Sequence, residues 1–84
     1  MNHAKEIREF VISNFLFGDA AALEDDKSFL ESGIVDSTGM LELIMFLEGT
    51  YGIRVEQKEM VPENLDSVNR LVEFLGKKEA QVAP

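Results

Sequence analysis

The chain has 84 residues, enough for one small domain with an adequate but modest core. Its apolar share of 45% argues against wholesale disorder, and the absence of cysteine excludes disulfides, thiolate metal sites and side-chain thiol chemistry. A formal net charge of −8 speaks against nucleic acid and anionic membrane surfaces as partners and favours proteins with basic docking surfaces.

Lys5 to Phe17 is predicted as the first helix. Ile7, Val11 and Phe15 recur at i, i+4 and i+8 with Phe10 beside them, while Glu6, Arg8 and Glu9 fall on other faces. Gly18-Asp19 is its stop. The first six residues lack the basic-then-apolar layout of a signal peptide, and no run approaches the roughly 20 apolar residues of a membrane span. A cytoplasmic, monomeric protein without membrane insertion is expected.

Residues 18–36 show no sustained period and are expected to form a long ordered loop, which in so small a domain points to a function. Leu23, Phe29, Leu30, Ile34 and Val35 can pin it over the helices, and Asp25-Asp26-Lys27-Ser28 can begin a short helical turn. Its acids do not have the spacing of a calcium loop.

The second predicted helix runs from Ser37 to Tyr51, with Gly52 as a stop. At about 100° per residue, Met40, Leu43, Ile44, Leu47 and Tyr51 form a core-facing stripe with Ser37 at its margin. The other side carries Thr38, Leu41, Glu42, Met45 and Gly49, with Glu48 near its edge. Apolar residues rimmed by acids there have the composition of a docking surface. Between Lys27 and Arg54 no basic residue occurs, so the surroundings of Ser37 are purely negative.

Ile53-Arg54-Val55 alternates and is expected to be extended. Gln57 to Val61 can make one short helical turn ended by Pro62. The last helix is predicted over Ser67 to Lys77, with Val68, Leu71, Val72 and Leu75 on its apolar face, Phe74 at the border and Lys77 and Lys78 at its negative end. The expectation is an all-α fold: a small four-helix bundle of three main helices and one short one, with a domain over residues 1–78 and a disordered tail over 79–84.

Ser37 is not self-activating. A serine nucleophile needs a neighbouring base, and the single histidine, His3, is expected in a mobile terminus. No nucleophile elbow and no metal-binding cluster is present, so the chain is not expected to be an enzyme. Any covalent chemistry at Ser37 must be performed by another protein. Asp66-Ser67 is a second Asp-Ser pair at a predicted helix start, where either side chain can serve simply as a cap.

Leu30-x-x-Gly33-Ile34-x-Asp36-Ser37, followed by a helix ending Phe46-Leu47-Glu48-x-x-Tyr51-Gly52-Ile53, resembles the acyl carrier protein family across nearly the whole chain. The resemblance implies a four-helix bundle in which Ser37 carries 4′-phosphopantetheine, installed from coenzyme A by a phosphopantetheinyl transferase with Mg²⁺. The thiol of that group would hold an acyl or aminoacyl cargo as a thioester, and a cleft beside the second helix would shelter it. Asp36, Thr38, Leu41, Glu42, Met45 and Glu48 match the recognition helix that loading ligases, synthases and processing enzymes read with basic patches. Thr38 departs from the family's common Leu or Met, and Gly39 and Gly49 from frequent acids. Glycine at position 39 is similar to D-alanyl carrier proteins and some other stand-alone carriers, which implies a specialised member. A glycine in the first turn also costs up to about 1 kcal/mol against alanine, so a steric reason at the docking site is expected. The alternative is a non-covalent acidic adaptor that docks through the same helix, with Ser37 only a cap.

Overall fold

Apolar residues four apart set the register of α1 (Ala4–Phe15), whose Ile7 and Val11 are wholly buried in the computed structural model. The structure describes residues 3–19, 21 and 23–82, with the backbone alone at 81 and 82. α1 ends before the predicted Phe17. The Ile12 carbonyl accepts from Leu16 N–H at 3.3 Å and from Gly18 N–H at 3.0 Å, and Phe17 turns left-handed at φ 51°. Its ring is 95% exposed, so Phe17 contributes nothing to the core.

The long connection is ordered and contains a four-residue helix, α2 (Phe29–Ser32). Ser28 caps it by accepting from Glu31 N–H at 3.1 Å, and Gly33 closes it at φ 77°. Phe29 and Val35 are buried, and Leu23 and Ile34 pack on the margin of the core. Leu30 does not pin the loop; it is exposed. Polar ties finish the attachment. Arg8 forks onto the Asp25 carboxylate at 2.7 and 2.5 Å, and Asn69 N–H donates to the Asp25 carbonyl at 2.9 Å.

α3 (Ser37–Tyr51) matches the second predicted helix at both ends, and Gly52 caps it at φ 67°. Leu43, Ile44 and Leu47 are buried while Met40 and Tyr51 are half-buried, as the stripe predicts. Ile53 and Val55 are then buried on either side of exposed Arg54. A 3₁₀ turn follows at Gln57–Glu59, closed by reciprocal bonds between Glu56 and Glu59. Pro62 does not end a helical turn as predicted. It opens α4 (Pro62–Leu65), at a first-turn position where its missing N–H costs nothing.

α5 (Val68–Val82) runs well past the predicted end at Lys77, so residues 79–82, assigned above to a tail, are helical. Lys78 is accordingly not at a helix terminus; its ammonium lies 2.9 and 3.2 Å from the Glu59 carboxylate oxygens. Glu79 lies 3.0 Å from His3 Nε2. His3 is therefore placed, not mobile: its side chain is 12% exposed and its ring meets Tyr51 edge-on at 4.6 Å. Tyr51 donates to Glu6 at 2.8 Å; burial first, then the Glu6 and Glu79 carboxylates, push its phenol well above the ordinary value and keep it a donor. Along α5, Phe74 is buried and Val72 is at the margin, the reverse of the predicted order. The described residues are all helix, turn and loop, and α1, α3, α5 and the long loop share one core.

Two ion pairs give the fold an acid limit. Hydrogen bonding from Arg8 holds Asp25 below its ordinary value of 3.8. The Glu56 N–H, then Lys78, hold Glu59 below its ordinary value of 4.5. Both folded values are depressed, so their contribution is complete above the unfolded values and lost as pH falls through the folded ones. Thermal melts should therefore be steady near neutrality and decline below about pH 5. A midpoint that does not move between about pH 5 and 2 would contradict both assignments.

Candidate functional site

At the start of α3 the chain arrives extended, with Asp36 at φ −96° and ψ −174°. Asp36 Oδ1 accepts from Gly39 N–H at 2.7 Å and the Asp36 carbonyl accepts from Met40 N–H at 2.8 Å. Asp36 is thus the N-cap, and Ser37 becomes the first helical residue. Its side chain is exposed, and among the described residues its Oγ makes no hydrogen bond.

The second Asp-Ser pair divides the work the other way. Ser67 is buried and its Oγ accepts from Arg70 N–H at 3.1 Å, capping α5. Asp66 reaches across to α2, accepting the Ser28 hydroxyl on one carboxylate oxygen and Leu30 N–H at 3.0 Å on the other. Phe29 N–H also donates to the Asp66 carbonyl at 2.8 Å. One serine is consumed by the fold and the other is left over.

Gly39 is buried, three residues into the helix. A Cβ there would lie 2.8 Å from Phe15 Cε1 and 3.1 Å from Val35 Cγ1. The steric reason for this glycine is therefore internal, the end of α1 pressing on the first turn of α3, and not the docking surface expected above.

Ser37 stands on the lip of an apolar cleft of about 200 Å³. Met40, Leu41 and Ile44 of α3 form one wall and Met60, Val61, Pro62 and Leu65 the other, with Leu30 of α2 also lining it. No charged side chain lines it. Thr38, Glu42 and the predicted anchors Leu41 and Met45 all face solvent, the last two at 57% and 69% exposure. Glu48 is less available than predicted, because its Oε2 accepts from Val55 N–H at 3.0 Å. Leu30 and Met60, both exposed, extend the apolar surface around the cleft and were not assigned to it from the sequence. Met60 carried a signal, as a large apolar residue directly after the polar stretch Gln57-Lys58-Glu59.

The arrangement offers an accessible hydroxyl with no base to activate it. His3 is committed to Glu79 and meets Tyr51 edge-on, at the end of α3 opposite Ser37. No cluster of metal-binding side chains occurs among the described residues, and none of their helices is long and apolar enough to cross a membrane.

No family model matches the chain. A D-alanyl carrier protein from Streptococcus uberis is 35% identical over 79 residues, spanning 92% of this chain and 98% of that protein. One from Streptococcus pyogenes is 34% identical over 69 residues, or 80% of this chain and 87% of that protein. Among solved structures, a chain from a crystal structure of an FAD-dependent dehydrogenase is 29% identical with a TM-score of 0.73, over 82% of this chain and 97% of that one. With relatives this similar over most of their length, the chain belongs to the family of phosphopantetheine-dependent acyl carrier proteins, which are carriers and not enzymes.

Proposed function

We propose that Ser37 Oγ is the attachment point of 4′-phosphopantetheine and that the protein carries a small aminoacyl or acyl group between enzymes. The observation that carries this is the spare hydroxyl. Asp36 performs the capping that a serine at a helix start usually performs, and this leaves Ser37 exposed and unbonded. A helix N-terminus also favours the negative charge that a phosphodiester would bring. The residues present therefore fit the group, whose thiol supplies thioester chemistry when attached.

The chain's own part is to present and to be read. Leu41 and Met45 supply apolar area, and Asp36, Glu42 and Glu48 supply negative charge in a stretch without a cation. A transferase, a loading ligase or synthase and downstream enzymes with basic patches would find the same face, and charge of this kind acts mainly on the association rate. The D-alanyl carrier relatives support an amino acid as cargo. Its ammonium would meet no carboxylate in the cleft, and an unpaired buried charge is costly. An aminoacyl group therefore stays in solvent, while a short uncharged acyl group can enter.

Incubation with coenzyme A, Mg²⁺ and a broad-specificity phosphopantetheinyl transferase should add one phosphopantetheine by intact mass. No addition across several transferases would instead favour the non-covalent adaptor, for which the docking face suffices and Ser37 is incidental.

A further inference from the structure

We propose that the ion pair between Glu59 and Lys78 fixes the width of the cleft and so limits the acyl chains that the protein can shelter. The inference rests on the carrier reading and adds a size limit to it. Glu59 and Lys78 are positioning residues, since neither lines the cleft.

The wall formed by Met60, Val61 and Pro62 follows Glu59 directly, and its position depends on what holds Glu59. The Glu59 carboxylate accepts from Lys78 Nζ at 2.9 and 3.2 Å and from Glu56 N–H at 2.9 Å. The Glu59 carbonyl accepts from Val61 N–H and from Asn64 Nδ2, both at 2.9 Å. One residue thus ties the 3₁₀ turn, the start of the wall and α4 to α5. The pair is sheltered, with side-chain exposures of 17% for Glu59 and 9% for Lys78, so solvent screens it weakly. The far end of the wall has its own anchors in buried Leu65 and in Arg70, which donates to the Glu63 carbonyl at 3.2 Å. Residues 60–62 are consequently held at both ends against α3. A wall held only by apolar contacts could slide outward for a longer guest; one held by a nearly buried charge pair resists, because separating the pair leaves a charge without a partner. Exposed Met60 is the residue that would move first.

The test uses a broad-specificity phosphopantetheinyl transferase with Mg²⁺ to move acyl-phosphopantetheine from a straight-chain acyl coenzyme A series, acetyl to decanoyl, onto Ser37 with release of 3′,5′-ADP, and measures the rate of thioester cleavage by hydroxylamine. Each methylene that enters the cleft should slow cleavage about fourfold, from about 0.8 kcal/mol per CH₂ and about 1.36 kcal/mol per tenfold. In the wild type this gain should stop at a short chain. In Lys78→Met, which keeps the buried stem, and Glu59→Gln, which keeps an acceptor for Glu56 N–H, the gain should continue to longer chains. Arg8→Met, which loses its ion pair with Asp25 and is weakened away from the wall, should keep the wild-type limit. A common limit in all four proteins overturns the proposal, even if the two pair variants protect less overall. So does a wild type whose cleavage rate ignores chain length. If the wild type accepts no acyl group at Ser37, the carrier reading fails and this inference with it; loading with an unshifted limit defeats the inference alone.

Discussion

Ser37→Ala is expected to accept no phosphopantetheine while folding normally, and Ser67→Ala to accept it like the wild type while melting earlier. The two serines share a dipeptide and a place at a helix start, so the difference comes from what the fold has already spent. At α3 the capping oxygen is Asp36 Oδ1, 2.7 Å from Gly39 N–H, and the removal of Ser37 Oγ breaks no bond. At α5 the capping oxygen is Ser67 Oγ, 3.1 Å from Arg70 N–H and buried, so its removal orphans a donor. Loss of such a cap costs about 1 kcal/mol, and in a domain of this size that lowers the melting midpoint by about 4–8 °C. Intact mass and thermal melts on the two variants read both effects. Modification found on Ser67, or retained in Ser37→Ala, would move the attachment site; an unchanged melt for Ser67→Ala would undo the division of labour between the two pairs.

The features legible in the sequence were those written locally. α3 has its cap, its apolar stripe and its terminal glycine within one continuous stretch, and both of its ends were read correctly. α1 was read one turn or less too long, because Phe17 continues the apolar composition while its backbone has already left the helix. What escaped depends on partners far along the chain. α2 is too short to show a period and is held by Asp66, and the last turns of α5 lack an apolar face and are held by Glu59 and His3. Pro62 reads as a stop in the sequence, but proline serves equally well at the first position of a helix, and only the following turn decides. For the site, the apolar residues on the solvent-facing side of α3, Leu41 and Met45, were legible in the sequence. The opposite wall of the cleft was not, since nothing in Met60-Val61-Pro62 says which helix it faces.

Glycine at position 39 illustrates how one residue can be misassigned for good local reasons, and it gives the second large effect. Gly39→Glu should destabilise the protein by about 2 kcal/mol, whereas Gly49→Glu, nearly three turns further along the same helix, should be neutral or stabilise it by up to about 1 kcal/mol. By propensity alone both should stabilise, and at position 39 a negative charge in the first turns would add a further 0.3–1 kcal/mol, roughly. Space reverses the first sign. A Cβ at Gly39 would sit 2.8 Å from the Phe15 ring and 3.3 Å from Asp36 Oδ1, while a Cβ at Gly49 meets nothing within 4 Å. Overpacking of this kind costs about 1–3 kcal/mol, and a carboxylate driven between Phe15 and Val35 loses solvation as well. Because the closest atom is the far end of one side chain, Phe15→Ala should relieve part of the strain. The double variant should then be more stable than the sum of the two single changes predicts, by about 1–2 kcal/mol. Denaturant melts of the four proteins close that cycle. Equal signs at 39 and 49, or strict additivity with Phe15→Ala, would return Gly39 to the docking surface. If the cycle closes as expected, the glycine that sets this chain apart from the common acidic pattern serves the contact between α1 and the first turn of α3, and it bears on the proposed attachment only through the placement of Ser37 on that turn.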